Sequence, residues 1–127
     1  ILMGDESEKN LIRGISNELG SHHAQMLGYS LPEVMAVLEH CQVFLGNDSG
    51  LAHMANAMGL PSVIIFGPVD EKVYAPQGTA IAMALIKEDV ACRPCYQHFR
   101  FPPCNNQRVC LEDLSVEKVV AELKKIT

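Results

Sequence analysis

Asp48-Ser49-Gly50, with His53 three positions further on, places a carboxylate, an imidazole and small residues with accessible amides in one short stretch. Such groups hold a phosphate or diphosphate and orient hydroxyls beside it. The amides of Ser49, Gly50 and Leu51 would be the unpaired donors at a helix start, where the helix dipole adds positive potential. Asp-Ser-Gly is also an ordinary helix cap, so anion binding and capping both stand on these residues alone. Earlier in the chain, Glu6 or Glu8 follows Gly4 closely enough to bind ribose hydroxyls, as an acid after a first strand's glycine does in nucleotide-binding folds. The rival is a solvated acidic first turn that suits the helix dipole.

The cysteines form a second group. Four of the five fall as Cys92-x2-Cys95-x8-Cys104-x5-Cys110 in a stretch rich in Pro and Asn. Four thiolates could close a structural zinc site with no open catalytic position. Reduced thiols packed in a loop and disulfides are the other two readings. Cys41 is isolated and reads as a small core residue. His22 and His23 lie in a polar connector with no further ligand near them in sequence.

The elements that must position these groups are legible around the Asp-Ser-Gly turn. Gln42 to Gly46 is short and apolar, and Leu51, Met54, Ala55 and Met58 fall at i, i+3, i+4 and i+7, the stripe of a buried helix face. Gly59 closes that helix and Pro61 blocks its continuation. Ser62 to Phe66 is the continuous β-branched run of a parallel strand buried on both sides. The unit is a βαβ crossover, so Asn47-Asp48-Ser49-Gly50 and Gly67-Pro68 share the carboxyl rim of two neighbouring strands, where open α/β sheets bind ligands.

Elsewhere, Glu6 to Leu19 predicts a helix with Leu11, Ile12, Ile15 and Leu19 inward and Gly20 as its stop. Ala24 to Gly28 predicts a short strand, and Ser30-Leu31-Pro32-Glu33 a capping box opening a helix whose inward face is Leu31, Val34, Met35, Leu38 and Cys41. Ala80 to Ile86 is a further strand, and Ser115 caps a last helix with Val116, Val119, Val120 and Leu123 inward. Alternating strands and helices imply an α/β class with a parallel sheet.

With 127 residues, 48% hydrophobic and 20% charged, the chain fits one globular domain able to bury a core. No apolar run is long enough to span a bilayer, and nothing resembles a signal peptide. The formal charge of -5, with Lys124-Lys125 the longest basic block, argues against a nucleic-acid-binding face.

Asn47-Asp48-Ser49-Gly50-Leu51-Ala52-His53, with Ala55, Ala57, Gly59, Pro61 and Phe66-Gly67-Pro68, resembles the signature of glycosyltransferase family 9, the lipopolysaccharide heptosyltransferases. Leu27 to Leu31, the cysteine segment through Cys110-Leu111 and the helix from Val116 to Ile126 extend the likeness over nearly the whole chain, most weakly in the first twenty residues. The resemblance implies a GT-B architecture, two Rossmann-like domains with a cleft between them. Residues 1–127 then correspond to the donor-binding domain, without the N-terminal acceptor domain and its catalytic base. Ile1-Leu2-Met3-Gly4 reads as the tail of a strand, which suits a fragment.

The same resemblance implies metal-independent transfer from ADP-heptose to the lipopolysaccharide inner core, with no cofactor required for catalysis and no nucleic-acid partner. Asp48 would orient the sugar hydroxyls, and the amides of Ser49, Gly50 and Leu51 would hold the diphosphate. His53 would bond a phosphate oxygen or lock the Asp48 loop, and Tyr29 and Ser30 would lie near the nucleotide base. It also implies a cytoplasmic enzyme with peripheral contact to the inner membrane. Two other functions stand beside it: a non-catalytic nucleotide-sugar-binding module, and a metal-stapled interaction domain held by Cys92, Cys95, Cys104 and Cys110.

Overall fold

Ser62 to Phe66 forms the strand that its apolar run predicts, and in the computed structural model, which describes residues 1–127, it is the central strand of a three-stranded parallel sheet. By proximity of its backbone the chain divides into two compact units, Ile1–Val37 and Leu38–Thr127.

In the first unit β1 (Leu2–Gly4) and β2 (Gln25–Leu27) pair in parallel, with Leu2 opposite Gln25 and Gly4 opposite Leu27. A 3-10 turn over Glu6–Glu8 leads into α1 (Lys9–Leu19), which Gly20 ends at a φ of 71°. Only Ile12 of the expected α1 stripe is buried; Leu11, Ile15 and Leu19 are exposed. A two-stranded ladder is too narrow to cover a full helical face, so the helix buries one residue where the pattern offers four. The connector is also more ordered than its polarity suggests. His23 Nε2 lies 2.6 Å from Ser16 Oγ, which in turn accepts from Gln25 Nε2 at 2.8 Å. That tie links α1 to β2. α2 (Leu31–Leu38) follows, with Val34 and Leu38 buried but Leu31 and Met35 exposed and Cys41 only partly covered. Ser30 opens it as expected, although both its amide and its hydroxyl donate to Glu33 Oε2, at 2.9 and 2.6 Å. That double contact holds the Glu33 carboxyl below its ordinary range.

In the second unit β3 (Phe44–Asn47), β4 (Ser62–Phe66) and β5 (Ala82–Ile86) lie in that order, all parallel, with Asn47 opposite Ile65 and Phe66 opposite Ile86. α3 (Gly50–Ala57) makes the crossover between β3 and β4, and Gly59, at a φ of 87°, ends it as predicted. The core is Ala52, Ile64, Phe66 and Val69, with Phe44, Ala75, Ala82, Ile86 and Tyr96 packed around it. The deepest face of α3 is Ala52, Ala55 and Asn56, while Leu51, Met54 and Met58 are only half-buried. Alanines let the helix approach the sheet closely, so the small residues go under and the larger ones flank them.

Two short helices absent from the sequence pattern, α4 (Glu71–Tyr74) and α5 (Val109–Glu112), follow β4 and the cysteine segment. Asp70 caps α4 by accepting from the Lys72 amide. Ser115 caps α6 (Val116–Ile126) as predicted, but Val116 and Val120 are exposed. The covered side is Lys118, Val119, Glu122, Leu123 and Ile126. On that side Lys118 Nζ donates to the Ile86 carbonyl at the end of β5, at 3.1 Å. No helix is long and apolar enough to cross a membrane.

Candidate functional site

The turn from Asp48 to Gly50 lies just beyond the carboxyl end of β3, and Gly67-Pro68 just beyond that of β4. The rim predicted from the crossover is therefore present. The Asp48 amide donates to the Ile65 carbonyl at 3.1 Å, carrying the ladder one residue past β3 and fixing where the turn leaves the sheet.

Ser49, not Asp48, is the N-cap of α3, and its side chain makes no capping bond. Its carbonyl accepts from the Ala52 and His53 amides, at 3.1 and 3.4 Å. The amides of Ser49, Gly50 and Leu51 make no hydrogen bond within the protein, and Ser49 and Gly50 are exposed. Three donors without a partner in the protein thus stand at the positive end of a helix, two of them on exposed residues, an arrangement that favours an anion. A Cβ built on Gly50 would meet nothing within 4 Å. The space over these amides is open in the protein itself.

The Asp48 side chain is 23% exposed, and burial pushes its carboxyl above the ordinary aspartate range, offset in part by His53. His53 Nε2 stands 3.9 Å from Asp48 Oδ1, close enough for charge attraction when the imidazole is protonated and too long for a hydrogen bond. The Asp48 side chain caps no helix, and its one charged neighbour is His53.

In the first unit the two acidic candidates separate. Glu8 Oε2 accepts from the Asp5 amide at 3.0 Å and completes a capping box, so its carboxylate is engaged. Glu6 is exposed and lies against Gly28, where an added Cβ would come within about 3.0 Å of its side chain. Gly28 has a φ of 68°, so close approach and backbone shape both require glycine there. Tyr29 follows it and is 52% exposed, and the Ser30 hydroxyl is spent on Glu33. At this end of β1 and β2, Glu6 pairs only with the Lys9 ammonium, at 3.9 Å, and Tyr29 is half exposed, while Glu8 and Ser30 are tied to helix starts.

The cysteine segment is ordered by a residue that the sequence did not single out. Arg93 Nε donates to the Gly67 carbonyl, and its Nη2 donates to the Val69 carbonyl at 3.0 Å and to Glu71 Oε2 at 3.1 Å. The amides of Cys95 and Tyr96 both donate to the Pro68 carbonyl, and a Cβ on Gly67 would strike Leu111. These contacts seat the segment on the rim beyond β4. The four thiols are not gathered into one ligand set, and no three His, Cys, Asp or Glu side chains are arranged to hold a metal ion. Cys104 is exposed, its sulfur accepting from the Arg108 amide at 3.2 Å, whereas Cys110 is buried. An Arg-to-carbonyl clamp ties the start of this segment to the rim.

The thiols should also differ in reactivity. Bonds from the Arg108 and Asn106 amides lower the Cys104 thiol below its usual range, and burial raises that of Cys110. With a limiting alkylating reagent near neutral pH, Cys104 is expected to be modified first and Cys110 last, read by peptide mass spectrometry. Equal labelling of the two would contradict this environment.

An open depression of about 660 Å³ lies elsewhere in the second unit, between Lys87–Cys92, Asn105–Gln107, Val109 and Asp113, and includes none of the residues around Asp48. Volume alone does not make it the reactive site.

Comparison with known proteins agrees with the signature. The model of the family described as glycosyltransferase family 9 (heptosyltransferase) matches residues 1–102, a narrower span than the resemblance suggested, ending before Cys104, Cys110 and α6. Lipooligosaccharide heptosyltransferase 2 of Campylobacter jejuni subsp. jejuni serotype O:6 is 36% identical over 87 residues, 68% of this chain and 26% of that protein. Its counterpart from serotype O:2 is 34% identical over 86 residues, 68% of this chain and 26% of that protein. Lipopolysaccharide heptosyltransferase 3 of Escherichia coli is 38% identical over 47 residues, 37% of this chain and 14% of that protein. The chain spans about a quarter of the length of the Campylobacter relatives. No solved structure matches it. On the family match over residues 1–102, the chain belongs to glycosyltransferase family 9, the heptosyltransferases.

Proposed function

We propose that residues 1–127 are the donor-binding domain of a transferase that moves heptose from ADP-heptose to the lipopolysaccharide inner core. One observation carries this reading: three amides without a hydrogen-bond partner in the protein at the start of α3, two of them on exposed residues, beside a half-buried carboxylate that caps nothing. When an acceptor hydroxyl attacks the anomeric carbon, negative charge grows on the departing diphosphate. The Ser49, Gly50 and Leu51 amides would stabilise that charge where a metal ion would otherwise be needed. Asp48 would hold the sugar hydroxyls, and His53 would bond a phosphate oxygen or restrain Asp48.

For residues 1–37 we assign Glu6 to the ribose hydroxyls and Tyr29 to the base. The acceptor site and the catalytic base would lie on an N-terminal domain of a GT-B enzyme working at the cytoplasmic side of the inner membrane. In that scheme an isolated 127-residue chain binds donor and transfers nothing.

Calorimetry with ADP, an ADP-sugar and a UDP-sugar tests the reading. Binding of the adenine nucleotides in preference to the uridine one is expected, and no binding by any of the three would sink it. Gly50→Val sharpens the test, because the added side chain enters open space in the protein but occupies the path of the diphosphate. Its thermal midpoint should stay close to the parent's while affinity for ADP falls at least about ten-fold, equivalent to roughly 1.4 kcal/mol. Unchanged affinity would remove the α3 amides from the site.

A further inference from the structure

Beyond the clamp made by Arg93, the chain runs out into a two-residue hairpin. Gln97 and Arg100 exchange backbone hydrogen bonds at 3.2 and 3.0 Å, and the two residues between them, His98 and Phe99, have φ values of 50° and 60°. Asn and Gly are the residues that such a turn prefers. Here it carries a phenylalanine at its tip that is 86% exposed. Phe101, 63% exposed, stacks on Tyr96 with ring centres 4.5 Å apart, and Tyr96 packs edge-on against Tyr74 of α4 at 5.8 Å. A ladder of rings therefore leads from the core, which Tyr96 touches, to Phe101, two residues from the exposed tip.

The charge around the tip is opposite to that of the whole chain. Between Asp89 and Glu112 there are three arginines and no acidic residue, in a chain of formal charge -5. Arg93 is consumed by Glu71 and Arg108 is paired with Glu112, but Arg100 is exposed with no ion pair. On α4, below the ladder, Glu71 is held by Arg93, and Lys72 adds a cation. Exposed aromatic rings with an unpaired arginine between them suit a surface that is apolar beneath and anionic above, the outer layer of an acidic bilayer.

We propose that the hairpin around Phe99 docks the protein on an anionic lipid surface, with the Phe99 and Phe101 rings at the acyl boundary and Arg100 among the head groups. The proposal rests on the reading above for its purpose, since an acceptor built on a lipid is met at a membrane. One hairpin with one free arginine makes a weak contact, so binding should be reversible and salt-sensitive.

Co-sedimentation of the protein with vesicles of phosphatidylglycerol and phosphatidylethanolamine, against vesicles of phosphatidylcholine alone, tests it. Binding to the anionic vesicles at low salt is expected, with loss on raising salt to about 0.5 M. Arg100→Glu should reduce the bound fraction about ten-fold, and Phe99→Ser comparably, with the circular dichroism of both variants unchanged. Equal sedimentation with both vesicle types, or full retention by both variants, would overturn the proposal. If instead Phe99→Ser dissociates an oligomer in light scattering and leaves vesicle binding intact, the tip belongs to a second copy and the lipid assignment fails. The nucleotide calorimetry above runs on the same sample. Vesicle binding without nucleotide binding would refute the transferase reading and leave the docking surface standing.

Discussion

Asp48→Ala in the whole transferase is expected to lower heptosyl transfer by at least about ten-fold while leaving the fold intact. The two halves of this expectation come from the same environment. The carboxyl is half-buried and its ionisation is disfavoured by burial, with only the His53 imidazole, 3.9 Å away, in partial compensation. A group whose folded-state pKa is raised binds its proton more tightly in the folded chain than in the unfolded one. Its charge therefore subtracts from stability at neutral pH, and that subtraction fades as pH falls through the raised folded-state value.

Asp48→Asn, which keeps the shape and drops the charge, should accordingly be at least as stable as the parent near pH 7 and lose that advantage in acid. Urea titrations at the two pH values read the stability, and transfer from ADP-heptose reads the function. A chain that retains disfavoured charge at a rim needs a reason outside its own stability, and the donor binding proposed above would supply one. Parent-level transfer by Asp48→Ala would remove Asp48 from the donor site. A marked loss of stability in Asp48→Asn at neutral pH would assign the carboxylate to the fold.

What could be read in advance follows a physical line. The Ser62–Phe66 strand and the Gly59 stop were legible because each is fixed by local chemistry, a β-branched run and a residue that tolerates a φ of 87°. The Asp48 to Leu51 turn was legible for the same reason, since a helix start carries its donors whatever the rest of the chain does. Faces were less so. Apolar spacing marked Leu11, Ile15, Leu19, Val116 and Val120 as inward, and all five are exposed. Periodicity gives the direction of a stripe, whereas its depth depends on how much surface the facing layer offers.

Least legible were contacts between distant residues. Arg93 meets Gly67 across 26 positions, and nothing in the local pattern around Cys92 and Cys95 points to it. The four cysteines drew attention because metal ligands have a recognisable spacing, while an arginine bonded to backbone carbonyls has none. Glu6 and Glu8 were equivalent in sequence and became distinct only when the Asp5 amide claimed Glu8.

Asn56→Ala should destabilise the chain by about 2–5 kcal/mol, a large effect for one exchange of polar for small. Asn56 has no exposed surface. Its Nδ2 donates to the Ala80 carbonyl at 2.8 Å, and its Oδ1 accepts from the Gly78 amide at 2.7 Å. Alanine would leave both backbone groups without their side-chain partner and open a void beneath α3. The consequence reaches the candidate site, because Asn56 is near the end of the helix whose other end bears the Ser49, Gly50 and Leu51 amides.

Asn56→Asp separates hydrogen bonding from volume. The carboxylate can still accept from Gly78 but has no proton for Ala80 when ionised, and it carries charge into a site without solvent. Its folded-state pKa would be raised, so this variant alone should gain stability relative to the parent as pH falls, when the protonated acid can donate to the Ala80 carbonyl. Gly78→Ala attacks the same contact from the other side, its Cβ falling 2.8 Å from the Asn56 carbonyl oxygen and closer still to Oδ1. With Asn56→Ala in place the Oδ1 clash is gone, so the double variant should be less destabilised than the sum of the singles. Urea denaturation of the four chains measures every term. An Asn56→Ala midpoint equal to the parent's, or strict additivity of the pair, would mean that the Asn56 bridge does not hold α3 to the chain before β5.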